Sequence, residues 1–224
     1  MKKILLTTMA VLVLTASSGF AAPLTDYSLG KTAIDLTVRR NDVGVKGPDY
    51  DLSFKKKYNM EWGATVGLGS NFAFQYSGFN ADSKDITHQG VTGHGKLRGH
   101  EFNVLYQLAK TDKASVSAFL GAATNKWSIT TAGDGTSSTK NKTRFQIGAL
   151  GTVNLSSKTM AYTSIGLGSK LVNWKIGVSQ QVAKNLELNL DYRYYKAKDL
   201  TGNDFSDEVD VTNKGIGLGL TFKF

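Results

Sequence analysis

The segment Gly215-Ile216-Gly217-Leu218-Gly219-Leu220-Thr221-Phe222-Lys223-Phe224 constrains the fold more than any other. Ile216, Leu218, Leu220, Phe222 and Phe224 fall on one face of an extended strand. Gly215, Gly217, Gly219, Thr221 and Lys223 fall on the other. A soluble strand can alternate in this way. A strand that closes on Phe, in a chain that opens on an export signal, points instead to a barrel in a bacterial outer membrane.

The opening residues fit that address. Lys2 and Lys3 form a positive start, residues 4–15 an apolar core, and Gly19 and Ala21 mark cleavage after Ala21. The apolar run is shorter than the roughly 20 residues of a transmembrane helix. Residues 1–21 are therefore expected to be a removable leader, and residues 22–224 a single barrel domain. No Cys is present, so disulfides and thiolate chemistry are excluded. Without Lys2 and Lys3, 25 basic and 18 acidic residues remain, a net charge of +7. Export argues against nucleic acid as the anionic partner and leaves phosphorylated lipid headgroups. Mean hydropathy is slightly negative, which excludes a helical membrane protein but not a barrel whose lipid face takes every second residue.

Ten strands are expected, near 28–39, 58–68, 72–79, 100–108, 114–124, 143–153, 159–168, 172–182, 186–196 and 215–224. Eight is the alternative. In the clearest of them Leu186, Leu188, Leu190, Tyr192 and Tyr194 alternate with Glu187, Asn189, Asp191 and Arg193. In the least regular, Tyr162 falls on the inner side. Short links near 69–71, 109–113, 154–158 and 183–185 alternate with long ones near 40–57, 80–99, 125–142 and 197–212; only 169–171 breaks the rule. Short periplasmic turns and long outer loops on an antiparallel all-β chain are the pattern of outer-membrane barrels.

Three further segments carry a resemblance: Tyr162-Thr163-Ser164-Ile165-Gly166-Leu167-Gly168, then Asn185-Leu186-Glu187-Leu188-Asn189-Leu190-Asp191-Tyr192-Arg193-Tyr194, then Gly215 to Phe224. In this order they resemble the small outer-membrane barrels of the opacity-protein and OmpA-like superfamily. The resemblance implies a porin-like transmembrane barrel at the cell surface. Its members serve as adhesins, membrane anchors or small channels, usually on eight strands.

Function is read from faces and loops. Lys31, Asp35, Glu61, Glu101, Arg144, Lys175, Glu187, Asp191 and Arg193 are expected to face the lumen, either packed in a filled barrel or lining a pore. Filling is the simpler account. Arg39, Arg40, Lys55, Lys56 and Lys57 are candidates for lipopolysaccharide phosphates. Phe222 and Phe224 form the insertion signature, through which the barrel-assembly machinery would take hold of the last strand. His88, His94 and His100 sit in or beside the second long loop, without interleaved acids, and no metal is assigned to them. The acidic group Asp199, Asp204, Asp207, Glu208 and Asp210 matches no calcium loop. No nucleophile elbow or triad spacing occurs, so no catalysis and no cofactor are expected. The reading is a surface structural or interaction protein meeting outer-membrane lipid and an extracellular ligand. A small porin-like channel is the alternative, and an outer-membrane enzyme a distant one.

Overall fold

The computed structural model describes residues 22–88, 90–133, 135–202 and 208–224. The leader lies outside them, as do Asp204 and Asp207. No helix occurs among the described residues. Ten strands close a barrel: β1 (Thr32–Lys46), β3 (Lys57–Gly69), β4 (Phe72–Asp82), β6 (Val91–Lys110), β7 (Ala114–Thr131), β9 (Lys142–Asn154), β10 (Thr159–Gly168), β11 (Leu171–Ala183), β12 (Leu186–Leu200) and β13 (Val209–Lys223). Each pairs antiparallel with the next. β13 returns to β1 in register from Ala33–Lys223 to Lys46–Asp210. Three short strands, β2 (Asp51–Ser53), β5 (Ile86–His88) and β8 (Gly135–Ser138), thicken the loops at one end. Closure leaves no unpaired edge, which hydrocarbon demands.

Ten strands, not eight, settle the number left open by the alternation. The tight links fall at 70–71, 111–113, 155–158 and 184–185, at the end that also carries residue 32 and Phe224. This is the inner end. Ser70 (φ 52°) and Asn71 (φ 67°) both take the left-handed conformation, as a two-residue hairpin turn of matching twist requires. At the outer end only the link at 169–170 is short, so the wall is low there and high at the β6–β7 hairpin.

The outer face is a continuous apolar belt. Phe145 is 85% exposed, and Leu36, Val38, Met60, Val104, Leu120, Ile147, Ile176, Leu190 and Ile216 are exposed with it. Aromatic residues gather at both borders. Trp174 stacks on Tyr194 at 5.9 Å near the outer end, and Phe72 meets Tyr106 at 4.9 Å near the inner. An apolar band between two aromatic girdles is what a spanning barrel presents to lipid.

The strands run further outward than the alternation suggested. β1 reaches Lys46 rather than ending at 39, and β6 begins at Val91 rather than 100. The reason is a change of phase. In the belt Leu36 and Val38 point out while Asp35, Thr37 and Arg39 point in. Beyond it Val43 and Val45 point in while Arg40 and Lys46 point out. Tyr194 to Tyr195 in β12 and Ile216 to Val211 in β13 make the same exchange. Where lipid gives way to water outside, a dry interior becomes favourable inside.

At the inner end β1 starts four residues later than expected, because residues 22–31 form a plug instead. Phe224 exchanges backbone hydrogen bonds with Thr32, N to O at 2.8 Å and O from N at 3.2 Å, which seals β13 to β1. Phe224→Ser is expected to reduce several-fold the heat-modifiable barrel recovered from outer membranes, since it removes the belt's last aromatic. An unchanged amount would refute this.

Candidate functional site

The lumen is filled at three heights. At the outer end Val43, Val45, Phe79, Leu97, Trp127, Leu171, Tyr195, Leu200, Val209 and Val211 form a buried apolar cluster. Phe54, from the link between β2 and β3, folds over it. The Phe54 nitrogen donates to Val43 O at 2.9 Å, and its ring lies 5.6 Å from that of Trp127. Tyr195 meets Phe79 edge-on at 4.9 Å, and its hydroxyl donates to Asn125 Oδ1 at 2.8 Å.

Below this sits an ion network. Arg39 Nε donates to Glu61 Oε2 at 2.8 Å, and its Nη2 lies 2.6 Å from Asp191 Oδ1. Arg193 Nη2 reaches Glu61 Oε1 at 2.6 Å, and its guanidinium lies over the Phe79 ring at 4.1 Å. Arg39 and Glu61 are 0% exposed. Gly217 makes room for them, since a Cβ there would lie 3.0 Å from Arg39 Cζ. Beside the network Asn173 Nδ2 donates to Glu101 Oε1 at 2.8 Å and to Gln146 Oε1 at 2.9 Å. Gln146 Nε2 donates to Asn103 Oδ1 at 2.8 Å. A cavity of about 50 Å³ remains among Glu101, Asn103, Gln146, Lys175 and Arg193, room for a few waters at roughly 10–15 Å³ each.

The inner end is closed by residues 22–31. Leu24 and Tyr27 bury against Ala73, Leu105, Phe119 and Leu150. Tyr27 Oη donates to Ser117 Oγ at 3.0 Å, and Gln107 Nε2 donates to Thr25 O at 3.1 Å. The plug is laced to β3 by Gly69 N to Tyr27 O at 2.9 Å and Gly67 N to Lys31 O at 2.7 Å. Gly67 permits this approach, because a Cβ there would lie 2.3 Å from Ser28 O. Nothing periodic in residues 22–31 marks them as a plug. Leu24 and Tyr27 are two apolar residues in a short segment that alternates with nothing.

Several residues of the sequence reading fall elsewhere than expected. Arg39 is not a surface cation: its odd position in β1 turns it into the lumen, where no headgroup reaches it. Lys31 is exposed, because it belongs to the plug's exit rather than to β1. Arg144 is half-buried at the outer rim, donating to Lys170 O at 2.6 Å and Asp199 O at 3.1 Å. Lys170 also ion-pairs with Asp199, and this hydrogen bond holds the half-buried Asp199 carboxyl below the usual carboxylate range. Asp35, Glu61, Glu101, Lys175, Asp191 and Arg193 all lie inside the barrel, and Glu187 meets Lys223 at 2.6 Å at its inner mouth. Arg40, Lys55 and Lys56 are exposed on the outer wall; Lys56 stands 3.5 Å from Asp42, and Lys57 2.5 Å from Asp82.

His94 Nδ1 lies 2.9 Å from Asp85 Oδ1 on an exposed hairpin, and His100 Nδ1 lies 2.9 Å from the Tyr76 hydroxyl on the outer face. No group of three or more metal-ligating side chains occurs among the described residues.

Among solved structures the chain is similar to the outer membrane protease OmpT of Escherichia coli. The TM-score is 0.62 at 9% sequence identity, over 87% of this chain and 97% of that one. The chain folds as a small outer-membrane β-barrel. Two other barrels align more loosely. They are Neisserial surface protein A (TM-score 0.48, 14% identity, 87% and 99% covered) and the attachment invasion locus protein Ail of Yersinia pestis (0.40, 14%, 87% and 99%). No family model matches the chain, and no curated protein matches it in sequence. At these identities the likeness is one of fold alone.

Proposed function

We propose that this barrel works at the cell surface as a structural or interaction protein, through its outer wall and loops, and not as a pore. The observation that carries this reading is the stacking of three obstructions in one lumen: apolar cluster, ion network and plug. An ion crossing the barrel would have to leave water at the first, displace buried arginines at the second and unseat backbone hydrogen bonds at the third. The cavity beside the ion network is too small for a solute larger than a few waters. Arg40, Lys55, Lys56 and Lys57 stand on the outer side of the aromatic girdle, where lipopolysaccharide carries its phosphates, and are the proposed contacts to it. An extracellular ligand would meet the uneven rim. OmpT is a protease, and at 9% identity that activity stays with OmpT.

The test is single-channel recording in a planar bilayer, with insertion confirmed separately by the heat-modifiable band. A silent bilayer is expected. Reproducible conductance steps would overturn the reading and make Lys175 and Arg193 the residues to change for ion selectivity.

A further inference from the structure

Ala22 lies inside the barrel, 1% exposed, against Met160 and Tyr162. Its backbone nitrogen donates to Thr221 Oγ1 at 2.8 Å. That hydroxyl donates in turn to Asp35 Oδ1 at 2.5 Å and accepts from Asn189 Nδ2 at 3.0 Å. Two donors arrive and one leaves, so the Thr221 hydroxyl is used to capacity. Two other buried polar atoms of this pocket have no hydrogen-bond partner: Asn189 Oδ1 and the Tyr162 hydroxyl. Folded proteins seldom leave such atoms unmet. The pocket is therefore rich in acceptors around one backbone nitrogen, and that nitrogen belongs to the residue that cleavage after Ala21 would leave first.

We infer that leader removal completes this pocket, and that the freed α-ammonium of Ala22 becomes an internal cation anchoring the plug. The inference rests on cleavage after Ala21 and stands apart from the question of conduction. Hydrolysis adds water across the Ala21–Ala22 peptide bond. Ala21 leaves with the new carboxylate, and Ala22 keeps the nitrogen, which takes up a proton. An amide nitrogen has one hydrogen to give, whereas an ammonium has three and a full charge. One remains on Thr221; Asn189 Oδ1 and the Asp35 carboxylate, joined to the same hydroxyl or its neighbour, receive the others. The charge inventory agrees. Among the described residues the spanning part of the lumen holds four cations, Arg39, Lys175, Arg193 and Lys223, against five carboxylates, Asp35, Glu61, Glu101, Glu187 and Asp191. A buried carboxylate gains most from a cation that is itself hydrogen-bonded in place. Processing thus supplies a structural group that the uncleaved chain lacks.

Mass spectrometry of the barrel extracted from outer membranes fixes the first residue. Any residue other than Ala22 overturns the cleavage on which the inference stands. With Ala22 confirmed, the folded barrel in detergent is pulsed with an amine-reactive acylating reagent and compared with the urea-unfolded chain, exposed Lys31 serving as internal reference. The Ala22 amine is expected to react about tenfold more slowly when folded. Asp35→Asn and Thr221→Val are each expected to restore most of the reactivity while leaving a heat-modifiable band. A chain refolded with Nα-acetyl-Ala22, which alters no lumen residue, is expected to lose its plug to protease faster than the free-amine chain. Equal labelling of folded and unfolded chains, or equal protease resistance of the acetylated chain, would overturn the anchoring.

Discussion

Glu61→Ala is expected to destabilise the folded barrel by about 3–5 kcal/mol, the scale on which one partner of a buried ion pair is lost. Glu61 accepts from Arg39 on one oxygen and pairs with Arg193 on the other. Its removal strands two guanidiniums in a lumen that water barely enters, with Asp191 left to serve Arg39 alone. Equilibrium unfolding in urea, from lipid vesicles or micelles, reads the loss. The companion substitution distinguishes charge from packing. Arg39→Met together with Asp191→Leu removes a cation and an anion at once and keeps the Glu61–Arg193 pair. It is expected to cost less than either change alone, because each single change strands the other partner and the double change removes both. A Glu61→Ala barrel that unfolds within about 0.5 kcal/mol of the parent, the range of a neutral surface change, would show that the network holds nothing together.

Trp127→Ala is expected to cost about 3–5 kcal/mol, as large-to-small changes of buried aromatic residues do. Trp127 is the largest fully buried side chain described. It fills the space left by Gly95, where a Cβ would lie 2.0 Å from its ring, and it supports Phe54. The damage should be local as well as global. With Trp127 gone, Phe54 loses its platform and the 47–56 link lifts from the barrel mouth. Limited proteolysis of the folded protein should then cut within 47–56 while the belt strands stay intact. Wild-type stability together with an uncut link would mean that the outer cluster is not a seal.

The barrel itself was legible in the sequence because a strand with lipid on one side and a polar interior on the other must alternate with period two. All ten stretches are strands, several of them reaching further outward than expected, and even the odd placement of Tyr162 is real: it faces the lumen, beside Ala22. What escaped did so for physical reasons. Above the belt the alternation continues in the opposite phase, so a reader tracking outward apolar residues sees Val43, Val45, Phe79 and Trp127 as the end of a strand rather than its extension. Arg39 sits at the strand end next to Arg40, and only its parity separates a lumen anchor from a surface cation. The plug has no period at all. Its burial depends on a cavity that exists only once ten distant strands have closed.

That change of phase also gives the barrel a waterline. A strand free to slide by one residue would put Asp35 into lipid and Val43 into water together. A slide by two keeps each face but still fails. Sinking carries Arg40 and Lys214 toward hydrocarbon, at about 2–4 kcal/mol per cation near the midplane, and rising lifts Leu36 and Val38 out of it. β1, β12 and β13 each carry a mark of this kind, and the closed ring of strands holds the marks level. The protein therefore floats at one depth and one tilt, and the height at which its rim stands above the lipid is written into the alternation of those three adjoining strands.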